Sequence, residues 1–176
     1  MRDLHASAGP SVAPVSMAVD SPVGTISVSA SSAGIIGVCL GYGRVYDRQV
    51  DPCPAQDHLK AAALQLEEYF AGERQEFHLP LDVCGTQFQQ SVWQQAQLIP
   101  FAGTVTYGDI ACRIDNPGAA RAVGSALGAN PVPLLIPCHR VIGAGGLLAG
   151  FSSGVATKRL LLGHEAGLIP RGQQLH

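Results

Sequence analysis

The apolar period of this 176-residue chain changes near Gly85. Before that point, Ile26, Val28 and Ala30 alternate with polar residues. After the break at Ala33-Gly34, the run Ile35-Ile36-Gly37-Val38-Cys39-Leu40 follows, so the pair predicts an antiparallel hairpin. Asp20-Ser21-Pro22-Val23-Gly24 reads as the turn ahead of it, and Gly41 to Pro54 as a loop. Leu59, Ala63, Leu66 and Phe70 recur at spacings of four, three and four, which predicts a helix ended by Gly72. Phe77, Leu79, Leu81 and Val83 alternate again and predict another strand. Beyond Gly85 the pattern is helical. Thr86 with Gln89 forms a capping box, Phe88, Val92, Ala96 and Ile99 share a face, and Pro100 and Gly103 close that helix. Thr106 and Asp109 cap a short helix through about Arg113. Asn116 as N-cap with Pro117 at the first position predicts another, running to about Leu127.

This order of elements predicts an α+β protein, large enough for one full domain or two small lobes sharing an interface. Residues 17–85 are expected to form the N-terminal α+β lobe and 86–170 the C-terminal lobe. Residues 1–16, rich in Ala, Ser, Pro and Gly, read as a frayed start without the apolar stretch of a secretion signal, and 171–176 as a tail. The helices either side of Asp115-Asn116-Pro117-Gly118 have the outline of a helix-turn-helix, and equally that of an ordinary αα-hairpin. The second of them carries Gly118, Ala119, Ala120, Ala122, Gly124, Ser125 and Ala126, with Arg121 its one long cation. Each glycine weakens a helix by roughly 1 kcal/mol relative to alanine. Tight packing is one reason to keep such residues. Close approach to a groove ~6 Å wide, which a helix of ~10–12 Å would not enter, is another.

Composition narrows the class. With 47% hydrophobic and 14% charged residues, the chain is a folded globular protein. No window approaches 18 consecutive apolar residues, which excludes a spanning helix. Five cysteines without a CxxC pair argue against a disulfide framework or zinc ribbon, and a cytoplasmic, reducing setting is expected. The net charge of −2 is uneven. Residues 1–85 hold five Lys/Arg against ten Asp/Glu, whereas 86–176 hold six against three. Only the second half is suited to a polyanion.

Chemistry concentrates after Asn130-Pro131-Val132-Pro133. The apolar run Leu134-Leu135-Ile136 leads into Pro137-Cys138-His139-Arg140-Val141, followed by the loop Gly143-Ala144-Gly145-Gly146. Cys39, Cys84 and Cys112 read as buried, inert packing residues and Cys53 as an exposed loop residue. Cys138 differs. Proline fixes the chain before it, and an imidazole and a cation follow, the neighbours that a thiol of pKa ~8.5 needs to become a thiolate.

These residues resemble a known signature. Asn130-Pro-Val-Pro-Leu-Leu-Ile-Pro-Cys-His-Arg-Val141 is similar to the active-site segment of the O6-alkylguanine-DNA alkyltransferases, the methylated-DNA–protein-cysteine methyltransferases. The likeness takes in Gly85-Thr-Gln-Phe-Gln-Gln-Ser-Val-Trp93, Thr106-Tyr-Gly-Asp-Ile-Ala111, Ala120-Arg-Ala-Val-Gly124 and His164-Glu165, and more loosely Asp20 to Gly24. It implies a small ribonuclease-H-like N-terminal lobe and a C-terminal helix-turn-helix, winged-helix-like lobe. It also implies DNA repair by single-turnover transfer of an alkyl group from O6 of guanine to Cys138, without a cofactor. Whether O4-alkylthymine is also a substrate stays open. His139 would deprotonate Cys138 through a water, oriented by Glu165, while Asn130 would brace the segment. A carboxylate near a helix C-terminus opposes the macrodipole at ~0.3–1 kcal/mol, so Glu165 should have a partner. Tyr107 would donate to the guanine ring, and the main chain at Val141 and Ser152 would contact the extruded base. Arg121 would fill the gap that base leaves, and Arg140 and Phe151 complete the expected substrate and DNA contacts. The implied partner is double-stranded DNA, bound through the minor groove by a monomer, with no membrane.

Three positions depart from the pattern. Phe151 stands where tyrosine is frequent, and Gly128 where some relatives carry a cation. Ser31 falls where a zinc-binding relative has a cysteine, although His78 could match another ligand, so no metal is expected. Two rival functions remain: a Cys-His hydrolase, and a reader that binds alkylated DNA without repairing it. Adjacent Cys and His usually point apart, which disfavours the first unless water bridges them, and Cys138 argues against the second.

Overall fold

A computed structural model describes residues 15–41 and 54–168. β1 (Val15–Val19), β2 (Ile26–Ala30) and β3 (Ile35–Leu40) form an antiparallel sheet in the order β1-β2-β3. Val19 pairs with Ile26, and Val28 with both Met17 and Val38. The alternation Ile26, Val28, Ala30 points one face inward. α1 (Pro54–Ala71) packs on that sheet and buries Leu59, Ala62, Leu66, Tyr69 and Phe70.

Two expectations for this lobe change. Val15 and Ser16, placed in the frayed start, belong to β1, where they pair with Ala30 and Ser29 and cover the outer edge of β2. The strand predicted over 77–83 is an extended segment with one parallel bridge, Ile35 to Leu81. Its ladder cannot continue, because Pro80 has no N–H and offers only the carbonyl that Ile35 bonds at 2.8 Å.

The C-terminal lobe begins at α2 (Gln87–Gln97), and the predicted capping box is present: Thr86 Oγ1 accepts from the Gln89 N–H, and Gln89 Oε1 from the Thr86 N–H. Gly85 precedes it because a side chain there would meet the Trp93 ring at 2.7 Å. The Trp93 indole N–H donates to the Ala126 carbonyl at 2.9 Å, tying α2 to α4 (Ala120–Gly128). β4 (Val105–Thr106) leads into α3 (Tyr107–Arg113), whose Thr106–Asp109 box is also formed. α4 starts three residues later than predicted. Asn116 is occupied closing α3, its N–H bonded to Ala111 O and that of Asp115 to Cys112 O, with Asp115 at φ 55°. That is a Schellman ending, and it leaves Asn116 a turn residue rather than a cap. A short 3-10 turn (Cys138–Arg140) precedes β5 (Val141–Ile142), which pairs in parallel with β4, and α5 (Val155–Glu165) follows.

The lobes meet through named bonds. The Val38 N–H on the free edge of β3 donates to Pro131 O at 2.8 Å, and His164 Nε2 lies 2.9 Å from Tyr69 O. Of the cysteines, only Cys138 is buried among those described. Cys39, Cys84 and Cys112 are exposed, contrary to the packing role expected of them, and Cys53 lies outside the described residues. Cys39 sits out of phase on β3, between buried Val38 and Leu40. Among the described residues, no helix is long and apolar enough to cross a membrane.

Candidate active site

The turn Cys138–Arg140 sends three consecutive side chains to three places, which a 3-10 geometry of three residues per turn allows. Cys138 is buried, and its sulfur lies against Asn130, whose Nδ2 donates to Sγ at 3.3 Å and to Ile136 O at 2.9 Å. Asn130 Oδ1 accepts from the Val132 N–H at 3.0 Å. Asn130 thus clamps the proline-rich strap that carries the thiol. That strap holds Leu134 at φ 75°, a conformation unusual for a branched residue.

His139 has no exposed surface, and its Nε2 lies 2.8 Å from Glu165 Oε1. Glu165 also accepts from the Ala102 N–H at 3.0 Å, from Tyr69 Oη at 2.8 Å, and from Arg140 Nε and Nη2 at 3.0 and 2.8 Å. Burial pushes this carboxyl upward. Hydrogen bonds from His139 and Arg140, with the charge of Arg140, outweigh it and hold Glu165 down at about 2. An ionised carboxylate only accepts, so Nε2 of His139 carries the proton and Nδ1 carries the lone pair. Burial, only partly offset by Glu165, keeps the imidazole below its ordinary value and therefore neutral. Nδ1 is buried without a hydrogen-bond partner, so its lone pair is free to take a proton.

Arg140 was expected at the DNA contacts. It is buried instead, its fork on Glu165 and its Nη1 donating to Ile99 O at 2.8 Å, with the guanidinium 5.8 Å from the Phe101 ring. The cation that acts on the thiol is Lys158, which the sequence reading missed. It is buried, and its Nζ donates to Val141 O at 2.7 Å and Ala149 O at 3.1 Å. Burial raises the Cys138 thiol above its ordinary value, while the Asn130 hydrogen bond and the Lys158 charge pull it down. Burial in turn lowers Lys158. A signal for it existed: Lys158, Leu161 and Glu165 form the buried stripe of α5 at spacings of three and four, but two of the three are charged. Tyr69 was missed for a similar reason, being one more aromatic residue on the apolar face of α1.

Cys138 opens into a cavity of about 160 Å³ lined by Tyr107, Gly124, Leu127, Gly128, Gly150, Phe151 and Ser152. Tyr107, Gly124 and Gly150 also line an adjoining groove of about 630 Å³, where exposed Arg121 lies. Tyr107 Oη donates to Ala149 O at 2.8 Å, and burial raises this phenol, so it remains a donor. The Val141 carbonyl is engaged by Lys158. Packing does not explain the glycines of α4: a Cβ at Gly128 would meet nothing, as at Gly118 in the turn before it, and one at Gly124 would make ordinary contact with Tyr107 at 3.8 Å, whereas Ala126 is buried. Of the two candidate zinc positions, Ser31 is bonded to Asp82 and the His78 ring faces Arg74 and Glu76, and among the described residues no group of three or more His, Cys, Asp or Glu is placed to hold a metal ion.

A thiol at the base of a cavity, a carboxylate-braced imidazole beside it and a helix pair at the mouth are the arrangement of a cysteine-nucleophile protein built on a helical binding lobe. The chain belongs to the 6-O-methylguanine DNA methyltransferase family: the model of that family's DNA-binding domain matches residues 87–167 and that of its ribonuclease-like domain residues 16–83. It is 41% identical over 157 residues to a methylated-DNA–protein-cysteine methyltransferase of Mycobacterium tuberculosis, covering 86% of this chain and 92% of that one. It is 43% identical over 147 residues to one from Methanosarcina acetivorans, covering 81% and 92%. The crystal structure of Mycobacterium tuberculosis OGT in complex with DNA superposes with a TM-score of 0.74 at 40% identity, over 87% of this chain and 93% of that one.

Proposed function

We propose that this protein repairs alkylated DNA by moving the alkyl group from O6 of guanine onto Cys138, once per molecule. The observation that carries the reading is the placement of Cys138 at the base of a cavity that opens beside α4, with the His139–Glu165 pair behind it. In the reaction, the Cys138 S–C bond forms as the C–O6 bond breaks. The thiol proton passes through a water to Nδ1 of His139. Tyr107, released from Ala149 O, donates a hydrogen bond to the leaving purine as charge develops on it; the purine then takes up one proton from solvent and His139 releases the one it received, which balances the exchange. The products are guanine and a thioether, which unlike a thioester does not hydrolyse, so the protein does not turn over.

Double-stranded DNA is the partner, approached through the minor groove. The side-chain-poor surface of α4 and the turn before it supports this, since Gly118 in that turn and Gly124 and Gly128 in the helix are not required by internal packing. A stacked base hides O6, so the guanine must be extruded into the cavity, and Arg121 stands in the adjoining groove to take its place. The protein acts as a monomer in a reducing, cytoplasmic setting, where a nucleophilic thiol survives.

The test mixes protein with a duplex containing one O6-methylguanine and weighs the peptides. Cys138 alone gains one methylene, in no more than one equivalent. Product exceeding protein would mark a hydrolase, bound duplex without a mass change a reader, and modification at Cys39, Cys53, Cys84 or Cys112 a different nucleophile.

A further inference from the structure

Glu165 sits at the end of α5 in the C-terminal lobe, yet one of its donors comes from the other lobe. Tyr69, near the C-terminus of α1, is fully buried, and its hydroxyl donates to Glu165 Oε1 at 2.8 Å. The same oxygen receives His139 Nε2 at 2.8 Å, so the phenol and the imidazole share one acceptor atom. The Tyr69 backbone carbonyl accepts from the neighbouring His164 at 2.9 Å. One residue of the N-terminal lobe therefore grips two consecutive residues of α5, through its side chain and its main chain. The Tyr69 ring is held in place by Phe70, Phe77, Phe101 and His164, at centroid separations of 5.0 to 6.1 Å.

We propose that Tyr69 is a positioning residue for the reaction, contributed by the N-terminal lobe: its hydroxyl holds Glu165 Oε1 and through it governs the imidazole of His139. A second donor on Oε1 draws charge away from the imidazole. Removing it leaves a more basic carboxylate against Nε2–H, which favours imidazolium and moves His139 toward its protonated form at higher pH. The other groups facing this pair are Arg140 from the 3-10 turn, bonded to both oxygens, Lys158 from α5, and the Ala102 N–H. None of them is removed by a change at Tyr69. The phenol itself stays protonated, because burial and the adjacent carboxylate both raise it.

The inference rests on the repair reading, and the experiment separates the two. The rate of Cys138 modification is measured against pH in the full chain, once with O6-methylguanine duplex and once with iodoacetamide, which needs no DNA. In Tyr69→Phe, the acid limb of both profiles moves up by about half to one unit, with binding to undamaged duplex unchanged. Replacing Tyr69 with 3-fluorotyrosine, a stronger donor of nearly the same shape, moves both limbs down and decides the matter should the phenylalanine variant fail to fold. A merely structural tyrosine would lower the melting temperature and leave every limb where the parent has it, and that outcome overturns the proposal. A parent that reacts with iodoacetamide but not with alkylated duplex overturns the repair reading instead, and the iodoacetamide limbs still decide the role of Tyr69.

Discussion

The two lobes treat polar groups in opposite ways. Among the described residues, the buried polar and charged side chains are Ser21 in the N-terminal lobe and Asn130, His139, Arg140, Lys158 and Glu165 in the C-terminal lobe. The N-terminal lobe holds most of the chain's carboxylates and, among the described residues, keeps them out of its core, which is a sheet face of Ile26, Val28 and Ala30 against one helix face. The C-terminal lobe buries a carboxylate with His139 and Arg140 upon it, and Lys158 upon backbone carbonyls. Burying such groups is costly and is offset only by complete pairing. The contrast teaches where stability and chemistry separate: one lobe is packed for stability and lends a single hydroxyl, and the other carries the charges that the reaction uses.

The largest break in that contrast is Glu165→Gln. It leaves Arg140 buried beside a neutral amide and costs about 3–5 kcal/mol of stability by denaturant titration. It also slows alkylation of Cys138 by about 100-fold or more, the typical worth of a positioned base. Acid sharpens the point. Glu165 is held at about 2 against an ordinary value of 4.5, so its contribution is present above about 4.5 and is lost as pH falls toward 2. The stability gap between parent and variant should therefore close over that window. A gap independent of pH would show that the carboxylate charge is not what the fold uses.

Much of this was legible in the sequence, and the illegible part has a physical pattern. Both capping boxes, the β2–β3 hairpin and the burial of Leu134-Leu135-Ile136 were read correctly because each is a local signal, decided within a few residues. Asn116 failed because two helix-end rules competed for one residue, and closing α3 won. Arg140 was set toward DNA because a cation beside a nucleophile reads as a substrate contact. Its partner lies 25 residues away, a distance that spacing does not reveal. Tyr69 was missed because it lies on an otherwise apolar helix face, and Lys158 because two of the three residues of its stripe are charged; what each bonds is decided by how elements pack.

Arg121→Ala tests the exposed cation against the buried ones. Its neighbours on α4 are small, so the guanidinium is the group there able to reach into a base stack. Filling the vacancy offsets part of an unstacking cost of a few kcal/mol, so duplex repair should slow by about 30-fold, while reaction with the free alkylated base stays unchanged. The salt slope of binding should move by less than about one unit, which is the loss expected for a phosphate contact. Equal loss on duplex and free base would remove Arg121 from extrusion. Lys158→Met keeps much of the volume but deletes the charge that favours thiolate at Cys138 and the donor to Val141 O and Ala149 O. Thiol reactivity toward iodoacetamide at pH 7 should fall about ten-fold, with about 1–3 kcal/mol lost to unsatisfied carbonyls. Unchanged reactivity would leave Lys158 a purely structural cation.

The smallest effect expected is at Phe151, and it asks whether the cavity wall discriminates by polarity. Phe151 is half-buried between Gly150 and Ser152 and lines the cavity beside Tyr107 and Leu127, so this wall presents largely carbon to the alkyl group. Phe151→Tyr adds one hydroxyl at the ring tip. It takes up space in a cavity of about 160 Å³ and, where a bulky apolar adduct covers it, forfeits its water. A methyl adduct is small enough to leave that hydroxyl solvated. One added group in an apolar pocket changes discrimination by roughly 1 kcal/mol, so the methyl-to-benzyl rate ratio should rise about five-fold. DNA affinity should not change, because the altered group faces the cavity and not the groove that holds Arg121. A competition between methylated and benzylated duplexes reads the ratio directly. The same ratio in both proteins would mean that the wall at 151 is not a determinant of adduct size, and would move that role to Gly128 and Leu127 on the α4 side of the cavity.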